Sequence, residues 1–183
     1  PEQDWASLLR RFLARCADND YSWCHPARRF LHQDIYLPGR HDMKISSLAV
    51  AVDCSGSVDD LALSSFCTEL GAALAPYDTE AVILFHDCQV QAVHRIYGRE
   101  FPSSLTPVGG GGTDFRPVTA WLENNGERPA ALLWFTDLEC ASFPDSPGYP
   151  VLWLVWGEGG QKPPFGETVY MTSPEVNIWK ERP

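Results

Sequence analysis

Three short stretches of this chain carry oxygen donors suited to a hard cation. Asp53-Cys54-Ser55-Gly56-Ser57 spaces a carboxylate and two hydroxyls at alternate positions. A run of four glycines, Gly109 to Gly112, delivers Thr113 and Asp114, and Thr136-Asp137 supplies a third pair. Oxygen donors with no imidazole or thiolate in the corresponding places select Mg²⁺, Mn²⁺ or Ca²⁺ over zinc or copper. Cys16, Cys24 and His25 lack a fourth zinc ligand at a sensible spacing. The glycine run is not followed by Lys-Ser/Thr, which excludes a P-loop. Asp53 occupies the first glycine position of G-x-S-x-G, so the segment is no hydrolase elbow. Ser57 with Asp60 also reads as a helix N-cap and its box partner. None of the five histidines has an evident partner role, and His86-Asp87 after a strand reads as a solvated loop pair, the alternative being a pair that supports the site from behind.

The elements that must position these residues follow from hydrophobic periodicity. Trp5, Leu8, Leu9, Phe12 and Leu13 recur at helical spacing and predict a helix over Asp4–Cys16. An irregular stretch with Pro26, Pro38 and Gly39 follows, carrying the basic pair Arg28-Arg29. Leu48–Val52 is a continuous apolar run ending at Asp53, a strand covered on both faces. The next helix stripes Leu63, Phe66, Leu70 and Leu74, with Asp59 and Asp60 in its first turn, where the helix dipole favours acids. Strands are predicted at 81–85 and 90–96 as a hairpin, then at 130–135, 151–156 and, as an edge, 168–171. A helix after Thr113 points Val118, Trp121 and Leu122 inward, with Pro117 in its first turn. Alternation of this kind specifies an α/β fold: a three-layer, Rossmann-like, mainly parallel sheet with helices on both faces. Ligands then sit beyond the carboxyl ends of the strands, where the three oxygen-bearing loops lie. By texture the chain divides into an N-terminal helix and irregular extension (1–45), the sheet domain (46–172) and a tail (173–183).

Composition narrows the function classes. The chain has 183 residues with 24 acids against 14 bases, a net charge of −10, which argues against nucleic acid and anionic membranes as partners. No apolar run approaches a membrane span, and no signal pattern opens the chain. With Pro1 rather than Met in first place, we expect a processed chain or an excised portion of a longer one. The six cysteines do not form a disulfide framework, so reduced thiols and a cytoplasmic location are expected.

Asp53-x-Ser55-x-Ser57, the distant Thr113 and Thr136-Asp137 together resemble the metal-ion-dependent adhesion site of von Willebrand factor A (VWA) domains. Tyr21-Ser22-Trp23, Arg28-Arg29, Tyr36-Leu37-Pro38, the stretch from Gly109 to Pro117 and Pro164-Phe165-Gly166 are similar to a bacterial subfamily. In that subfamily a VWA-like domain forms the C-terminal part of predicted metallopeptidase-like proteins. The resemblance implies metal ligation by Ser55, Ser57 and Thr113, with Asp53 and Asp137 acting directly or through water. It also implies capture of an acidic side chain of a partner protein at an open metal position, with a MoxR-like AAA+ ATPase as a candidate partner. No H-E-x-x-H occurs in the sequence, so peptidase activity is not expected from these residues. Many VWA domains continue Thr-Asp-Gly where this chain has Thr136-Asp137-Leu138-Glu139. That change restricts the loop backbone and lets Glu139 approach the ion. The rival readings are a metal-dependent phosphoesterase, which needs a base or nucleophile beside the metal, and a scaffold that binds no metal.

Overall fold

In a computed structural model of the protein, the described residues are 4–21, 45–55, 60–97, 101–102, 105–106, 109–157 and 159–171. The elements are α1 (Trp5–Tyr21), β1 (Leu48–Asp53), α2 (Asp60–Leu74), β2 (Glu80–His86), β3 (Val90–Tyr97), α3 (Arg116–Asn124), β4 (Ala131–Thr136), β5 (Val151–Trp156) and β6 (Glu167–Met171). The six strands form one sheet in the order β3-β2-β1-β4-β5-β6. Every pairing is parallel except the β2–β3 hairpin. The predicted α/β architecture is therefore the observed one.

Period-two alternation divides the core between the sheet's two faces. Leu48, Val50, Val52, Ile83, Phe85, Leu133, Phe135 and Leu154 pack beneath α1 and α2. Ala49, Ala51, Val82, Leu84, Leu132, Trp134, Trp153 and Val155 face α3. β1, β4 and β5 are buried at every position, as a central parallel strand requires. The stripe Leu63, Phe66, Leu70 and Leu74 is buried on α2, and Val118 and Leu122 are buried on α3. Trp121 packs against that core from a half-buried position. Trp134 and Trp153 stack at 4.5 Å on the α3 face, while Trp156 stacks on Phe135 at 4.4 Å across the sheet.

Two local features differ from expectation. α1 continues to Tyr21 rather than stopping at Cys16. Asp4 caps its start, its carboxylate accepting from the Ala6 N–H at 3.3 Å and from the Ser7 hydroxyl at 3.1 Å. No glycine or proline intervenes before Pro26 to stop it. The second difference is at the end of β2, where His86 and Asp87 are buried, not solvated. Among the described residues five cysteines are free thiols, and no helix is long and apolar enough to cross a membrane.

Candidate metal centre

β1 ends on Asp53, whose register partner on β2 is His86. On the other side, β4 continues past Phe135, the partner of Val52, to Thr136. Three adjacent parallel strands thus end side by side, and their next residues form one rim. Asp53 is wholly buried there. Its Oδ1 accepts from the Ser55 N–H at 3.0 Å and the Thr113 hydroxyl at 3.3 Å; its Oδ2 accepts from the Thr136 hydroxyl at 2.7 Å. Residues 53, 55, 113 and 136, from three loops, therefore converge on one carboxylate.

Thr113 is held from two sides. On the β2 side, Asp87 anchors the glycine run. Its carboxylate accepts from Gln91 Nε2 at 2.9 Å on both oxygens and from the Gln89 N–H at 3.0 Å. Burial pushes the Asp87 carboxyl up, but bonds from Gln91, Gln89, Gly111 and Cys88 outweigh it and hold it below the ordinary carboxylate value. The fit against Cys54 and this carboxylate explains two of the glycines. A Cβ at Gly109 would lie 3.1 Å from Cys54 Cβ, and one at Gly111 would lie 3.3 Å from Asp87 Oδ2. The Asp114 N–H donates to the Asp87 carbonyl at 3.0 Å. On the β4 side, the Cys140 thiol donates to the Thr113 carbonyl at 2.8 Å, and the Phe115 N–H donates to the Ser142 carbonyl. Arg116 pairs with Asp114 at 2.6 Å and holds that carboxyl below its usual range.

His86 lies under this rim because β2 runs one residue further than predicted and bulges there. Phe115 and Trp134 cover its ring. Trp134 Nε1–H donates to His86 Nε2 at 2.8 Å, which fixes the neutral tautomer with its proton on Nδ1. Burial depresses its pKa, opposed by the charges of Asp53 and Asp87. With Nε2 taken by an indole, His86 is no free base.

Asp137 stands one residue beyond Thr136, nearly buried, its Oδ1 accepting from the Glu139 N–H at 2.9 Å. The next residue takes the conformation a glycine would prefer: Leu138 has φ 61°. Its side chain is wholly buried in the α3-face core. The Leu138 N–H donates to Thr136 Oγ1, and the Gly160 and Gln161 N–H groups donate to the Asp137 and Leu138 carbonyls. The side chain of Glu139 is exposed. Ser57, the Arg28-Arg29 pair, Cys24 and His25 lie outside the described residues. From sequence, Thr136 reads as an oxygen donor but not as a ligand, and Asp87 reads as solvated. Each immediately follows or ends a strand, which is the signal that marks them.

One distance in the donor set suits a hard divalent ion. Adjacent ligands on an octahedral Mg²⁺ with bonds of about 2.1 Å lie about 3.0 Å apart, close to the 3.3 Å between Thr113 Oγ1 and Asp53 Oδ1. Among the described residues, no three His, Cys, Asp or Glu side chains cluster as a metal site. An ion here would rest on hydroxyls as much as on carboxylates.

Residues 48–172 match the family described as "VWA-like domain (DUF2201)". The chain belongs to this VWA-like family. Residues 1–41 match a second family, described as "Putative metallopeptidase domain". An uncharacterized protein of Thermotoga maritima is 32% identical over 125 residues, covering 67% of this chain and 30% of that protein. The VWA-like chain thus spans about a third of its relative's length. The strand-end rim described above lies within the part matched to the VWA-like family.

Proposed function

We propose that this VWA-like domain binds a Mg²⁺-type divalent cation at the rim. Through the ion it would recognise an acidic side chain of a protein partner, within a larger metallopeptidase-linked protein. The observation that carries the reading is the state of Asp53. Its carboxylate is wholly buried and meets only neutral donors, with no Lys or Arg paired to it among the described residues. A buried carboxylate without a cationic partner is costly, and a bound cation removes that cost. Asp53, Ser55, Thr113 and Asp137 would hold the ion, with Ser57 as a further hydroxyl donor. The ion supplies Lewis acidity toward an incoming carboxylate. The chain's own residues do the rest: Thr136 orients Asp53, and Asp87 and Cys140 fix Thr113. Mn²⁺ and Ca²⁺ are the alternative ions, a MoxR-like AAA+ ATPase is the partner suggested by family context, and a cytoplasmic setting suits both.

Thermal unfolding with and without Mg²⁺ tests the reading. Mg²⁺ at about 100-fold over its Kd stabilises by about 2.7 kcal/mol, a rise of about 5–10 °C for a chain of this size. Thr113→Ala should remove most of that rise, and Ser55→Ala should abolish Mg²⁺-dependent capture of the partner. An unchanged midpoint at millimolar Mg²⁺, Mn²⁺ and Ca²⁺ would favour the metal-free scaffold. Turnover of a generic phosphoester, lost in Asp137→Ala, would favour the phosphoesterase.

A further inference from the structure

The two family matches divide the chain after residue 41, and the packing of α1 does not respect that division. Leu9, Phe12, Leu13, Cys16 and Ala17 lie on one stripe of α1, spaced three and four residues apart, and all are buried. They belong to the same core as Phe66 and Leu70 of α2, Leu133 and Phe135 of β4, and Val169 and Met171 of β6. Leu9 and Leu13 have no exposure at all. Ion pairs flank the stripe. Arg10 reaches Glu69 of α2 at 2.6 Å, and Arg15 reaches Glu167 of β6 at 2.6 Å.

We infer that α1, although matched to the metallopeptidase-type family, is a layer of the VWA-like fold, and that its buried stripe is the surface fixing the metallopeptidase-type region to α2 and β6. The physical requirement comes from the sheet. β4, β5 and β6 present Leu133, Phe135, Leu152, Leu154, Val169 and Met171 to this face. α2 reaches as far as β4, where Phe66 stacks on Phe135 at 4.8 Å, and without α1 the β6 side would be left as an apolar patch. α1 closes it. The partner for this surface is therefore in the same chain, and the two family regions meet in a shared core. Among the described side chains, Ser7, Arg10, Arg11 and Arg15 of α1 are exposed, as is Asp4 just before it, a polar face that marks the outer side of the layer.

The test uses the 183-residue chain. By native-state hydrogen exchange, amides of residues 9–17 should be protected to within about tenfold of those in β1 and β4, because they open with the same unit. Leu13→Ala should lower the thermal midpoint by about 10 °C. The fall should be equal in the far-ultraviolet signal and, in a Trp5→Phe background, in the near-ultraviolet signal to which the stacked Trp134 and Trp153 on the opposite face of the sheet contribute. Arg11→Ala, on the exposed face, should leave the midpoint unchanged. The inference is overturned if α1 amides exchange a thousandfold faster than those of β4. It is equally overturned if Leu13→Ala removes helical signal while the tryptophan transition stays in place. Exchange in the unaltered chain decides the matter even if the variant does not fold.

Discussion

Leu138 joins two requirements in one residue. Its backbone sits at φ 61°, a conformation that costs an L-residue about 1–2 kcal/mol, while its side chain is wholly buried against the α3-face core. Loss of the buried side chain costs more, about 2–5 kcal/mol for Leu→Ala. Leu138→Gly and Leu138→Ala should both destabilise the fold. Glycine should be the better tolerated by about 1 kcal/mol, the reverse of the usual order, because it alone relieves the backbone. Urea unfolding of the two variants measures the difference, and a more stable Ala variant would remove the strain argument. Asp53 gives a prediction of opposite sign. In EDTA, Asp53→Asn should unfold at or above the temperature of the parent chain, since it discharges a buried carboxylate, keeps one acceptor oxygen for the Ser55 N–H and Thr113 hydroxyl, and turns an amide donor toward the rotatable Thr136 hydroxyl. In Mg²⁺ it should show no rise. A variant much less stable in EDTA would mean that the charge itself supports the rim.

At the scale of elements, the site is the outcome of strand register. Because β1, β2 and β4 pair in parallel with Asp53 beside His86 and one step from Phe135's neighbour Thr136, the three loops must start together. Loop identity then decides how closely they pack. The segment after β5 holds the β4 loop through the Gly160 and Gln161 N–H groups, and a Cβ at Gly160 would lie 2.2 Å from the Leu138 carbonyl oxygen. Gly160→Ala should therefore displace the Asp137–Leu138 backbone. It should cost well over the roughly 1 kcal/mol expected of Gly126→Ala, which has only its positive φ against it. Comparing the two midpoints checks this. Equal losses would show that the β5 loop simply moves aside. Much of the element plan was readable from apolar runs: 151–156 is a strand with the predicted bounds, and the buried stripe of α2 falls where periodicity put it. The end of α1 was not, because Asp18-Asn19-Asp20 resembles a turn in composition, and only the continued helix shows otherwise.

For the whole molecule, the buried polar rim links stability to acidity. His86 is neutral in the folded state with its pKa held below 6.5 by burial, so the unfolded chain binds the extra proton first. Its contribution is fully present above pH 6.5 and is lost as pH falls from there toward the folded value. Asp87 and Asp114, held below 3.8, give up theirs only further down, through the carboxylate range. In EDTA, unfolding free energy should thus decline as pH falls below 6.5 and before the carboxylates titrate, and His86→Gln should flatten that limb without altering the carboxylate limb. A parent profile flat over that window would contradict the assignment.

Residue types and spacing alone determined the α/β class and the strand-end location of the loops that carry Asp53, Thr113 and Thr136. These follow from periodicity and chain order, which are local properties. The burial of His86 and Asp87, the left-handed Leu138 and the sharing of α1 with the sheet were decided by tertiary structure. Each depends on what another element places against the residue: Trp134 on His86, the glycine run on Asp87, the β5 loop on Leu138, and α2 with β6 on the stripe of α1. A polar pair after a strand reads as solvated until the segment that covers it is in place, because burial is a property of the neighbour as much as of the residue.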